Sequence, residues 1–158
     1  MVGRLAGRTS IVTGGAGGIG AATARLFCEE GARVALVDRD EAAVEAARAD
    51  IRDAVSGAET LGIVVDLAQE DAAAEVVSRT LAAFGGVDVL VNNAGIRSYE
   101  PLAEAKAETW RDIIAINLLS YAYLCREALP RAARLGAGQH RQRVLHPRLQ
   151  PAGRHGAV

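Results

Sequence analysis

Thr13-Gly14-Gly15-Ala16-Gly17-Gly18-Ile19-Gly20 is the stretch that decides how the rest of this chain is read. The short β-rich run Thr9 to Val12 leads into it, and a helical pattern from Ile19 to Glu30, closed by Gly31, leads out. Glycines at such a junction let the backbone turn sharply and approach a bound diphosphate closely. They also present amide groups at a helix N-terminus, whose dipole favours an anion. A glycine-rich turn is a weak signal alone, and its place between a strand and a helix is what strengthens it.

Downstream, Val34 to Val37, Leu61 to Val65 and Val87 to Val91 are nearly continuous in apolar residues, as strands buried on both faces are. Helical patterns alternate with them at Glu41 to Val55 and at Glu70 to Phe84, the latter closed by Gly85 and Gly86. A longer helix is predicted from about Thr109 to Leu135, with Trp110, Ile113, Ile114, Asn117, Leu118, Tyr121, Leu124 and Cys125 at three- and four-residue steps. The strand-helix alternation predicts an α/β fold: a Rossmann-like, doubly wound parallel sheet, truncated after the fourth strand and the long helix.

The second strand ends at Asp38, 18 residues after Gly20. A carboxylate there can accept hydrogen bonds from ribose hydroxyls of an adenine dinucleotide and repels a 2'-phosphate, which favours NAD over NADP. Arg39 beside it is the opposing signal, because a guanidinium can pair with that phosphate. Asn117 lies in an apolar stripe, so its amide must either tie down a neighbouring backbone segment or face a polar site. Spacing favours the first.

Composition sets outer bounds. The 158 residues are 50% hydrophobic and 23% charged, enough for one compact domain and unlike disordered or collagenous chains. No apolar run approaches the roughly 18 to 20 residues of a membrane span. Met1 to Ser10 carries two arginines without a following signal-peptide core, so the cytoplasm is expected. Cys28 and Cys125 lack metal-ligand spacing and read as reduced, buried small residues, and no metal site is expected.

Three motifs in order resemble the short-chain dehydrogenases/reductases: Thr13-Gly14-x-x-x-Gly18-x-Gly20, Asp66-Leu67 after the third strand, and Val91-Asn92-Asn93-Ala94-Gly95 after the fourth. The resemblance runs from Leu5 to about Gly138. It implies cofactor contacts at Gly14, Gly18, Ile19, Gly20, Asp38, Asp66, Leu67 and Asn93. It also implies that Asn117 matches the helix asparagine of the family's Asn-Ser-Tyr-Lys proton-relay set, which reverses the structural preference for that residue. The implied activity is hydride transfer between an alcohol or carbonyl and a nicotinamide cofactor, in a homo-oligomer. The tyrosine and lysine of that set are missing: the single lysine is Lys106, and Tyr99, Tyr121 and Tyr123 are followed four positions later by Ala103, Cys125 and Glu127. Tyr121 and Tyr123 read as packing residues, and the chain is expected not to turn over alone. The alternative is a non-catalytic, NAD-binding half-domain.

The end of the chain differs in kind. Met1 to Glu127 holds 12 basic and 19 acidic residues, whereas Ala128 to Val158 holds six arginines, all three histidines and no acid. Where the family usually has Gly-x-Ile-Val-Asn-x-Ser-Ser, this chain has Gly138-Gln139-His140-Arg141-Gln142-Arg143-Val144-Leu145-His146. One permissible back-translation of that stretch, read one base later, spells Gly-Ser-Ile-Val-Asn-Val-Ser-Ser. The expected division is therefore a cofactor-binding domain over residues 1–138, incomplete, and a basic segment over 139–158 that is out of frame or without structure. A basic nucleic-acid arm is the reading it displaces. If the sheet stops at the fourth strand, that strand becomes an apolar edge, and marginal stability is expected.

Overall fold

The computed structural model describes residues 3–132. Four strands, β1 (Thr9–Thr13), β2 (Arg33–Asp38), β3 (Thr60–Val64) and β4 (Val89–Val91), form one parallel sheet in the order β3-β2-β1-β4. Helices α1 (Gly18–Glu29), α2 (Glu41–Ala54) and α3 (Ala72–Phe84) connect them. After β4 come α4 (Ala107–Ile114), a π-helical turn (Ala115–Leu119) and α5 (Ser120–Ala132). The doubly wound sheet expected from the strand-helix alternation is present. The basic segment 139–158 lies outside the described residues.

Alternation of side chains along β1 explains the two-sided core. Ile11 joins Ala35, Val37 and Ile63 in a cluster with Val76 and Val77 of α3 and Leu124 of α5. Val12 points the other way, joining Val34, Leu36 and Val91 against Ala24 and Cys28 of α1 and Ile51 of α2. Helices α1, α2, α3 and α5 each therefore bury one stripe, and the cores of β1 and β2 are apolar because both of their faces are covered.

Several boundaries move for identifiable reasons. β4 starts at Val89 rather than Val87 because Asp88 is diverted: its carboxylate accepts the Thr9 N–H at 2.9 Å and the Arg8 guanidinium at 2.8 Å. α3 starts at Ala72 rather than Glu70 because Asp66 to Gln69 forms a turn, with Gln69 N–H donating to the Asp66 carbonyl at 3.0 Å. The long helix is not continuous. The π turn at Ala115–Leu119 adds a residue to the spiral around Asn117, which an even apolar periodicity does not reveal.

The two sheet edges are finished differently. On β3, Arg48 of α2 donates to the Thr60 carbonyl at 3.2 Å, and Arg79 of α3 donates to the Gly62 carbonyl at 3.3 Å. These are alternate carbonyls on the side away from β2, while the Glu59 carbonyl just before the strand accepts the Val34 N–H of β2 at 2.9 Å. β4 pairs with β1 alone, and no strand lies beyond it among the described residues. No helix among the described residues is long and apolar enough to cross a membrane.

Candidate functional site

The C-terminal ends of all four strands open onto one cleft of about 190 Å³, lined by Gly14, Asp38, Arg39, Asp66, Leu67 and the run Ala94 to Ile96 among others. Ligands bind parallel α/β sheets at this end, where the connections diverge to opposite faces.

The glycine loop forms one wall. Gly14 has φ +60°, and a Cβ there would stand 2.9 Å from the Asn93 Nδ2. A Cβ on Gly20 would collide with the Gly14 carbonyl, so the first turn of α1 lies directly against the loop only because Gly20 has no side chain. Gly18 opens α1, and Ile19 beside it is 69% exposed, a large apolar residue left on the surface at the mouth of the loop.

Thr13 and Asn93 hold that loop in place. The Thr13 hydroxyl donates to the Val91 carbonyl at 3.3 Å and accepts the N–H groups of Asn93 at 2.9 Å and Ala94 at 3.0 Å. In return the Asn93 side-chain amide donates to the carbonyls of Thr13 at 3.0 Å and Gly14 at 3.3 Å. The end of β1 and the end of β4 are thereby stitched together. Asn93 is engaged on the protein backbone, and Thr13, which sequence reasoning treated only as the first letter of a motif, is the hub.

Asp38 sits at the end of β2 and lines the cleft. Its carboxylate accepts the Arg39 N–H at 2.8 Å and reaches toward the Ala16 N–H at 3.4 Å, so it spans the gap between β2 and the glycine loop. Arg39 lines the same cleft. Asp66 caps its own turn, accepting the Ala68 N–H at 3.0 Å, while Leu67 is buried against the core beneath.

Asn117 projects from the π turn onto the opposite wall. Its Oδ1 accepts the Ile96 N–H and its Nδ2 donates to the Ile96 carbonyl, each at 2.8 Å. Both alternatives read from its place in an apolar stripe involve this region, since it ties down backbone and that backbone lines the cleft. Ile116 beside it lines the cleft as well. Tyr121, one turn on, was expected only to pack. Its hydroxyl donates to the Ala94 carbonyl at 2.5 Å, and partial burial raises its pKa above that of an ordinary phenol. No spacing rule could have found this contact, because the residue it meets is brought near by the chain leaving β4. Among the described residues there is no cluster of potential metal ligands.

Comparison with known proteins fits this geometry. The sequence profile of the short chain dehydrogenase family matches residues 8–139. The cis-4-hydroxycyclohexanecarboxylate dehydrogenase of Sinomonas cyclohexanicum is 44% identical over 135 residues, covering 85% of this chain and 53% of the relative. The L-fucose dehydrogenase of Oryctolagus cuniculus is 38% identical over 132 residues, 83% of this chain and 44% of its own length. Among solved structures, L-sorbose reductase from Gluconobacter frateurii, complexed with NADPH and L-sorbose, superposes with a TM-score of 0.79 at 33% identity, covering 85% of this chain and 51% of its own. A metagenomic short-chain oxidoreductase in complex with NADP gives 0.75 at 41% identity, covering 80% of this chain and 57% of its own. The chain spans about half the length of the curated relatives it matches. The family's cofactor class is NAD(P), and the two solved complexes, with NADPH and NADP, make NADP at least as well supported as the NAD expected from Asp38. With its glycine loop, its parallel sheet and this set of relatives, the chain belongs to the short chain dehydrogenase family.

Proposed function

We propose that this chain is the dinucleotide-binding portion of a nicotinamide-dependent oxidoreductase acting on a small alcohol or carbonyl compound. The observation that carries the reading is the glycine cradle. Gly14 and Gly20 are packed so closely that a Cβ on either would clash with the protein itself, Gly17 and Gly18 face open space, the loop lies at a helix N-terminus, and Thr13 and Asn93 fix it against β4. A diphosphate would lie over Gly14, Gly18, Ile19 and Gly20, with Asp66 and Leu67 flanking the adenine.

The bound nicotinamide supplies the hydride chemistry. The protein's own share is to hold the dinucleotide in an extended pose and to shield it from water. Exposed Ile19 gives an apolar surface for that purpose, and the cleft alone is smaller than a typical small-molecule pocket, so most of the ligand would run along the open face of the glycine loop. Of the proton-relay set, Asn117 is the member assigned here, acting through Ile96. The 158 residues contain no Tyr-x-x-x-Lys pair, so turnover by this chain alone is not expected.

Within the nicotinamide class, the position of Asp38 between Ala16 and Arg39 favours NAD, because a 2'-phosphate would meet a carboxylate at close range. Arg39 in the same cleft, with the NADP-bound relatives, supports NADP as the second reading. Titrating the chain with NADH and NADPH, followed by nicotinamide fluorescence, tests both. Saturable binding of either supports the dinucleotide reading, and binding of neither at millimolar concentration overturns it. The segment from Gln139 onward is proposed to be an out-of-frame reading, in keeping with a family match that ends at residue 139. A cytoplasmic location and the absence of nucleic-acid partners remain proposals from the sequence.

A further inference from the structure

The π turn and the helix after it touch the chain leaving β4 in a regular way. Asn117 meets Ile96, Tyr121 meets Ala94, and Cys125 accepts the Asn92 side-chain N–H at 3.6 Å. Within α5, the four positions from Tyr121 to Cys125 advance about 6.0 Å along the axis. Alternate residues of an extended chain are about 6.6 Å apart. The two repeats nearly match, so one face of a helix can grip every second residue of an antiparallel segment without either bending. Ala94, Gly95 and Ile96 of that segment line the cleft.

The middle rung acts on a peptide group of particular interest. In a trans peptide the C=O and the following N–H point in opposite directions, and no cis peptide is present among the described residues. Drawing the Ala94 carbonyl toward the Tyr121 hydroxyl therefore turns the Gly95 N–H away from α5. Among the described residues that N–H donates to no protein group.

We propose that Tyr121 is a positioning residue for the dinucleotide: by holding the Ala94 carbonyl, it presents the Gly95 N–H to the cleft as a donor for a ligand oxygen. This rests on the dinucleotide reading above. Asn117 fixes the neighbouring residue, and Tyr121 selects which way the peptide between them faces. A tyrosine hydroxyl can do this where a phenylalanine ring of the same shape cannot.

The test titrates the 158-residue chain with NADH as wild type, as Tyr121→Phe and as Thr80→Val, reading nicotinamide fluorescence and the amide resonances of ¹⁵N-labelled protein. Thr80→Val is the control. It removes another buried hydroxyl, which donates to the Val76 carbonyl on α3, and does not touch the cleft. In wild type the Gly95 amide shifts on saturation. Tyr121→Phe weakens NADH about five-fold, the loss expected for one neutral hydrogen bond, and moves the Gly95 resonance before ligand is added while the β1 amides stay in place. Thr80→Val binds as wild type does. Equal NADH affinity in wild type and Tyr121→Phe, or an equal loss in Thr80→Val, overturns the role of Tyr121 and leaves the dinucleotide reading standing. Failure of the wild type to bind NADH or NADPH overturns that reading, and the role of Tyr121 with it.

Discussion

The Asn117 side chain closes a two-point ring with the backbone of Ile96, giving and receiving one hydrogen bond at 2.8 Å each. Replacement by alanine strands a partly buried donor and acceptor together. Asn117→Ala is expected to destabilise the fold by about 1–3 kcal/mol. Asn117→Asp should cost more, because a carboxylate keeps the acceptor yet faces the Ile96 carbonyl with no proton to give. Urea denaturation of the three proteins checks the order, and an aspartate variant as stable as wild type would contradict the ring.

Asp38→Ala should weaken NADH more than NADPH. The carboxylate is placed to accept ribose hydroxyls and to repel a phosphate, so its removal takes a favourable contact from one ligand and an unfavourable one from the other. Equal weakening of both in paired fluorescence titrations would refute the discrimination.

Two glycines of one loop should respond oppositely to the same methyl group. Gly20→Ala drives a Cβ into the Gly14 carbonyl and should abolish NADH binding or the native fold. Gly17 has open space around its Cβ direction and an extended φ of -155°, so Gly17→Ala should change thermal stability by less than about 0.5 kcal/mol. Differential scanning calorimetry of both variants makes the comparison.

Burial, and to a lesser degree Glu29, pushes the Cys28 thiol up to about 11. Its folded value is raised, so the protonated form is favoured in the native state. Stability linked to this thiol is intact below the unfolded cysteine range and is lost as pH rises through about 9 toward 11. At pH 8 native Cys28 should resist iodoacetamide and react only on unfolding. Peptide mapping after alkylation reads this directly, and rapid native-state labelling would overturn it.

Resequencing the coding DNA across the Gly138 codon tests the reading of the chain's end. A neighbouring frame that opens with Ser-Ile-Val-Asn-x-Ser-Ser and continues to Tyr-x-x-x-Lys is expected. A single open frame through Val158 would make the tail genuine and favour the non-catalytic half-domain.

Much of the architecture could be read from the sequence because the central strands β1 and β2 are buried on both faces, which leaves nearly continuous apolar runs. The cleft residues at the strand ends were legible for a related reason: Gly14, Asp38 and Asp66 each lie at or within two residues of the end of a strand. What periodicity missed lies where side chains meet backbone across long separations. Asp88 shortens β4 by bonding to residues near the N-terminus, and Tyr121 reaches a carbonyl 27 positions away. The π turn was invisible because one extra residue in a helix shifts the apolar stripe without breaking it.

The unequal sheet edges have a consequence for how copies of this chain would meet. Among the described residues, Arg48 and Arg79 occupy carbonyls along the rim of β3, whereas no strand pairs with the outer rim of β4. In the language of polymerisation, a sheet made of these four strands alone has one live end and one dead end. Two such sheets joining at their live ends would leave only dead ends exposed, and growth would stop at the pair instead of running on into a fibre.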